Sequence, residues 1–297
     1  MPGLLKNIPS HRKGLIYISF TAFLWSTSGY LIKYLSIDAL QISLFRSGIA
    51  AITIYFIVSF RKPKFKFEFD TASNLASVFY AGILILFVFA TKMTTAANAI
   101  FLQFTAPVYL VVLEPLLMKT KFQPKNIITI IICVFGMILF FFGRLEIGNI
   151  YGNLIAICSG ICFAMFSLLV KFKKVKHNSE NTISSAIVGN ALVAVVAFIL
   201  IFPMFSISLN EALILLYMGS IQIGVSYVIF NEGIKYVSAT ETMIIATLEA
   251  IFNPIWVFIG LGEIPSVYSI LGGIIIFGAI IWRNFSKTTV EKTFIVE

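Results

Sequence analysis

The residues of this chain that could do chemistry are few, and most of them sit inside apolar runs. Glu249 lies about ten residues into a run that begins near Ala239, with Asn253 one turn on and Pro254 directly after. The matching stretch in the first half carries Gln103, Pro107, Glu114 and Pro115. A charge at the centre of a membrane helix costs roughly 2.5 to 3.5 kcal/mol, so each carboxylate is expected to have a use or a partner. Two readings stay open for Glu249 and Glu114: proton exchange or contact with a polar solute, or pairing with a neighbouring helix. A proline within such a run frees a backbone carbonyl and bends the helix, which is tolerated at membrane depth only beside a cavity or buried protein. Pro107 and Pro254 are therefore expected to mark helix breaks beside a solute path.

Arg46 lies about seven residues from the outer end of its run, roughly 10 Å of helix. It could receive a solute carboxylate, or reach back to the interface as an anchor or structural ion pair. Trp25, Tyr30, Tyr227 and Trp256 are deep enough in their runs to line a cavity by stacking, with plain packing as the alternative; Tyr268 and Trp282 read as interfacial belt residues. Catalysis finds little material. The chain has two Asp, Asp38 and Asp70, and two His, His11 and His177, all at run ends or between runs, so no His/carboxylate cluster for a metal or for acid/base work is expected in the membrane. No glycine-rich phosphate loop is present, which leaves gradient coupling or facilitated diffusion as the energy source of any transport. No cofactor is expected.

The elements that must position these residues follow from composition. Of 297 residues, 59% are hydrophobic and only 12% charged, with mean hydropathy +0.97. A soluble domain carries about 25% charged residues. Apolar runs fall at about Gly14 to Tyr34, Ala39 to Phe60, Ala72 to Thr91, Ala96 to Met118 and Pro124 to Gly143. The second half repeats the count, at about Tyr151 to Val170, Thr182 to Phe202, Glu211 to Phe230, Ala239 to Leu261 and Pro265 to Trp282. At about 20 residues per span, the chain reads as all-α and integral to the membrane, with ten transmembrane helices and no soluble domain. The first run follows Lys6, His11, Arg12 and Lys13 as a signal peptide would, but it lacks a small-residue cleavage site and is expected to remain as a span.

The net charge of +9 sits in short basic clusters between runs, which argues for topology and against nucleic acid. With the N-terminus inside, eighteen Lys and Arg face the cytoplasm against three outside, Lys33, Lys92 and Arg144, so both termini are expected to be cytoplasmic. Cys133, Cys158 and Cys162 lie inside runs without Cys-x-x-Cys spacing, giving neither a disulfide frame nor a zinc site. The two halves also match each other. Gly14 to Lys33 aligns with Gly152 to Lys171 at an offset of 138, Lys92 to Ala96 with Lys235 to Ala239 at 143, and Phe135-Gly136 with Phe277-Gly278 at 142. Five spans per copy is an odd number, so the second copy enters the membrane inverted, which is a transporter signature. The expected division is a segment 1–13, repeats over 14–143 and 151–283, and a tail 284–297.

Several stretches together carry a family resemblance: Leu24-Trp-Ser-Thr-Ser-Gly-Tyr-Leu-Ile-Lys33, Phe45-Arg46, Ala90-Thr-Lys-Met-Thr-Thr-Ala-Ala-Asn-Ala-Ile-Phe-Leu-Gln-Phe-Thr-Ala-Pro-Val108, and Gly262-Glu263. The chain resembles EamA-type members of the drug/metabolite transporter superfamily over nearly its whole length. The resemblance implies ten helices in two inverted five-helix repeats, a central cavity and, frequently, export of amino acids or related metabolites from bacteria. It departs from the pattern at Leu248-Glu249-Ala250, where Ala250 stands in place of a proline, and at Lys119 and Lys121, where an acidic residue is usual. The expected function is a secondary transporter of small polar metabolites, rocking the first four spans of each repeat around a midplane cavity, with proton coupling through Glu249 as an option. The fifth and tenth spans form a dimer or scaffold pair, so that monomer and homodimer both stay open. The expected partners are a small-molecule substrate and membrane lipid. Abundant Ile, Lys and Phe fit an AT-rich genome and hence a bacterial cytoplasmic membrane. A non-transporting scaffold or sensor subunit, and a carrier of hydrophobic cations or drugs, are the alternatives.

Overall fold

In the computed structural model, the described residues are 9–140, 142, 149–179, 181–202, 206–261 and 266–285, with the side chains at 97, 253–255, 257, 258, 260, 261, 269, 284 and 285 outside that description. The described residues are helical, with no strand among them. In order they are α1 (Ser10–Trp25), α2 (Ser28–Tyr34), α3 (Ala39–Arg61), α4 (Thr71–Met93), α5 (Ala96–Gln103), α6 (Ala106–Met118), α7 (Pro124–Phe140), α8 (Ile150–Lys176), α9 (Ser184–Ile201), α10 (Leu209–Tyr217), a π-helical segment Met218–Val225, α11 (Ser226–Gly233), α12 (Ala239–Ala246), α13 (Leu248–Leu261) and α14 (Val267–Phe285).

Helix starts are set by short polar side chains that accept the free amides of the first turn. Asp38 accepts from the Gln41 amide at 2.9 Å, Thr95 from Asn98 at 3.0 Å and Ser238 from Glu241 at 3.0 Å. Ser208 and Glu211 bond reciprocally as a capping box. Among the described residues seven helical stretches are long and apolar enough to cross a membrane: Ser10–Tyr34, Ala39–Arg61, Thr71–Met93, Asn98–Met118, Ile150–Lys176, Ser184–Ile201 and Leu209–Gly233. Two shorter apolar helices, Pro124–Phe140 and Ile270–Arg283, accompany them. The 17 residues of α7 rise only about 25 Å, short of a 30 Å hydrocarbon layer.

The expected breaks beside Pro107 and Pro254 turn out differently. In the first half the helix breaks at Phe104 and Thr105, and Pro107 sits in the opening turn of α6, where no amide is needed. In the second half the break is at Thr247, and α13 continues across position 254. The threonine makes each break: Thr105 Oγ1 donates to Leu102 O and Thr247 Oγ1 donates to Ile244 O, both at 2.6 Å, while each threonine amide takes a tight three-residue bond to the same carbonyl at 3.3 Å. The side chains of Asn253 and Pro254 lie outside the described residues.

The halves pack crosswise. α4 lies along α8 and α1 along α11; α3 packs on α9 and on the π-helical segment; α7 packs on α14. Glycines permit the closest approaches. A Cβ on Gly14 would meet Tyr236 Cβ at 2.9 Å, and one on Gly152 would meet Met93 Cβ at 3.0 Å. Between the halves, an aromatic cluster fills the core: Tyr227 lies 4.8 Å from Trp25 and 4.5 Å from Tyr80, and Tyr80 lies 4.8 Å from Phe166.

Candidate functional site

Five of the sequence candidates meet at one chamber. A buried cavity of about 40 Å³ is lined by Trp25, Arg46, Gln103, Tyr227 and Glu249, together with Ser28, Gln222 and apolar residues of α4, α8 and the π-helical segment. Eight helices from both halves and the π-helical segment contribute, and each side chain is set by its own element. Arg46, in α3, is 2% exposed, which excludes the interfacial anchor. Its guanidinium donates to Leu84 O at 3.2 Å, and its Nε is buried without a partner. Glu249 stands in the first turn of α13, aimed inward by the Thr247 break, and is 4% exposed. Among the described residues no ion pair joins it to Arg46. The cavity therefore holds a guanidinium and a carboxyl on its wall that do not satisfy each other.

The remaining polar wall residues are neutral. Gln103 Nε2 donates to Ser159 Oγ at 2.8 Å, tying α5 to α8. Trp25 Nε1 donates to Ser226 Oγ at 2.7 Å, which fixes the ring against Tyr227. Gln222 is wholly buried on the π-helical segment; its Nε2 donates to Thr27 Oγ1 at 2.8 Å, and its Oε1 has no partner. Sequence reading missed Gln222, although a lone amide inside the run Glu211 to Phe230 was the signal available. π-helical turns recur at functional positions, because the extra residue re-aims the side chains that follow.

Three candidates lie elsewhere. Tyr30 and Trp256 line a second, larger pocket of about 390 Å³ with Thr27, Leu31, Tyr217 and Ile259. The Thr27–Gln222 bond lies between the two spaces, since Thr27 lines one and Gln222 the other. Trp256 Nε1 donates to Ser26 Oγ at 2.7 Å across the bend that separates α1 from α2. Glu114 does not line the cavity. It reaches from α6 to the start of α12, accepting from the amides of Ala239 and Thr240 at 2.7 Å each and from Thr240 Oγ1 at 2.6 Å. That is a helix cap provided by another helix. Near it, Glu241 is bound by Arg283 and by His11 at 3.0 Å, and Arg283 also donates to Asn126 at 2.9 Å. Among the described residues, no group of three His, Cys, Asp or Glu is placed to hold a metal.

A helical protein with this many apolar spans and an unsatisfied charged chamber within them is a multi-pass membrane protein. Residues 12–142 and 150–285 each match the EamA-like transporter family. The chain belongs to that family. An uncharacterized transporter of Clostridium kluyveri is 28% identical, over 93% of this chain and 94% of its own length. One from Archaeoglobus fulgidus is 25% identical over 92% and 97%. Human solute carrier family 35 member G1 is 23% identical over 96% of this chain and 84% of its own. A solved crystal structure superposes with a TM-score of 0.76 at 15% identity, covering 91% of this chain and 96% of that one, which shows the shared fold.

Proposed function

We propose that the protein is a secondary transporter of small zwitterionic metabolites, amino acids or close relatives, working by alternating access about the Arg46–Glu249 chamber in a bacterial cell membrane. The observation that carries this reading is the buried guanidinium with an orphaned Nε and no carboxylate in bonding range. An uncompensated buried charge is costly unless something completes it. A solute carboxylate would do so at Arg46, while its ammonium has the Gln222 Oε1 and the Glu249 carboxyl to meet. A hydrophobic cation would find a guanidinium on the wall, which disfavours that class. Glu249 is the group assigned to proton coupling.

The path needs two moving halves, and we assign ten spans in two inverted five-helix repeats, 14–143 and 151–283, with both termini on the basic side. The contact pattern supports this, since exchanging first-half and second-half elements maps α4 on α8 to α11 on α1, and leaves α3 on α9 and α7 on α14 unchanged. The pairs Gly14/Gly152 and Thr105/Thr247 play matching roles, and Lys33 and Lys171 each donate to a carbonyl that follows the third span of their own half, Lys33 to Thr94 O at 2.7 Å and Lys171 to Ile234 O at 3.1 Å. A 40 Å³ chamber holds only a few waters and no amino acid, so the site must widen to load.

The test is counterflow of a labelled amino-acid panel in proteoliposomes, with and without a pH gradient. Saturable uptake of at least one member is expected, lost in Arg46→Gln. In Glu249→Gln, exchange should survive while gradient-driven accumulation disappears. A flat panel, or gradient-driven uptake unchanged in Glu249→Gln, would overturn the substrate class or the coupling role respectively.

A further inference from the structure

The segment that joins α3 to α4 runs Arg61-Lys-Pro-Lys-Phe-Lys-Phe-Glu-Phe-Asp70, with rings and charges alternating from Lys64 onward. The rings of Phe65, Phe67 and Phe69 touch in succession, with centroids 5.2 and 6.0 Å apart, so alternate residues share one face. Phe65 is partly buried against the core, while Phe67 and Phe69 turn outward. Phe67 stacks on Tyr55 at 6.3 Å with planes 5° apart, and Tyr55 continues through Phe56 to Phe60. Tyr55 lies about 9 Å of helix before the end of α3, so the segment folds back along the helix and extends its outer face as one sheet of rings. Phe60 is 84% exposed and Phe69 65%.

The other face is basic. Its two acids are already engaged: Lys173 binds both Glu68 and Asp70, Ser179 donates to Glu68 at 2.6 Å and Ser73 to Asp70 at 2.8 Å. Arg61, Lys64 and Lys66 are exposed, and among the described residues no carboxylate pairs with them. An exposed ring sheet under a rim of unpaired cations matches the depth profile of a membrane surface, where rings sit at the glycerol level and cations meet phosphates.

We propose that this segment is a binding site for an anionic phospholipid. The Phe67 ring sheet takes the glycerol and upper acyl region, and Arg61, Lys64 and Lys66 take the phosphate. Lys173 anchors the segment from α8, so the lipid is held on the outer face of α3.

The test is native mass spectrometry of the full chain in micelles supplied with equal phosphatidylglycerol and phosphatidylcholine. Wild type should retain phosphatidylglycerol preferentially. The double variant Lys64→Gln/Lys66→Gln should lose about thirtyfold of that preference, the effect of two basic groups at a membrane surface. Phe67→Ala should weaken both lipids alike, and glycerol phosphate, the same anion without acyl chains, should displace neither. Equal retention of the two lipids by wild type, an unchanged preference in the double variant, or displacement by glycerol phosphate would each overturn the assignment. Equal retention would leave the basic rim to an acidic protein partner.

Discussion

Replacing Glu114 with Gln separates a staple from a coupling group. The carboxylate accepts three bonds from the first turn of α12, two of them from amides that have no partner within that helix. Bonds to a charged acceptor contribute roughly 1.5–3 kcal/mol each, and a buried donor left unsatisfied costs about 1–3 kcal/mol. Gln keeps a single acceptor oxygen. Turned toward Thr240 it abandons the Ala239 amide and presents an NH2 to it, and the bonds it keeps lose their charge assistance. The expected loss is about 3 kcal/mol, which at roughly 2–4 °C per kcal/mol lowers the melting temperature by about 6–12 °C. Thr240→Ala removes only the hydroxyl bond and should lower it by about 2–4 °C. The assay is the thermal midpoint of the detergent-purified chain by fluorescence-detected size exclusion, with counterflow measured well below both midpoints. A Glu114→Gln midpoint within about 2 °C of wild type would refute the staple. Intact stability with lost flux would return Glu114 to the transport cycle.

Gly272→Ala should be destabilising by about 1–3 kcal/mol, because its Cβ would stand 2.5 Å from Gly136 O and from Phe140 N, backbone that cannot step aside. Gly278→Ala, with nothing within 4 Å, should stay within about 0.5 kcal/mol of wild type; equal thermal midpoints for the two variants would exclude the α7–α14 contact. Partial burial pushes the Asp70 carboxyl up, but the bonds from Lys173 and Ser73 outweigh it and hold the group well below the usual carboxylate range. A depressed folded value means that stabilisation is complete above the unfolded value of about 3.9 and drains as pH falls through the folded one. The gap in midpoint between wild type and Asp70→Asn should therefore be constant from about pH 7 to 5 and narrow below about pH 4; a gap that widens in acid contradicts it. Gln222→Leu removes the bond to Thr27 that lies between the second pocket and the chamber. In a background with the three cysteines replaced, Ser28→Cys should then react faster with a membrane-impermeant thiol reagent, and an unchanged rate would show that Gln222 is no barrier.

Much of the fold was legible because membrane helices advertise themselves. Apolar runs are a one-dimensional signal, and the helices α1 to α4, α8 and α9 fall on the runs read for them. The breaks were less legible. Proline draws the eye as a helix breaker, yet the breaks are made by Thr105 and Thr247, whose hydroxyls bond the carbonyl three residues back. Threonine does the same in many unbroken helices, so its type alone carries no such message, and only the paired offset of the two positions could have singled them out.

For the site, depth could be read but direction around the helix could not. Trp25 and Tyr30 are five residues apart and looked equivalent, but the bend at Ser26 and Thr27 turns one into the chamber and the other into the second pocket. Glu114 and Glu249 were both candidate site carboxylates, with Glu249 preferred for its depth. What separates them is a partner 125 residues away, the first turn of α12, which engages both oxygens of Glu114 and leaves Glu249 facing the chamber. The surroundings of the chamber differ in the same way. Around the start of α12 stand charged bonds, Glu114 on α12 and Glu241 on Arg283, whereas between the chamber and the second pocket stands the neutral Thr27–Gln222 bond. Charged bonds of this kind are about twice as strong as neutral ones. If the protein alternates access as proposed, the Thr27–Gln222 side is therefore the weaker of the two closures.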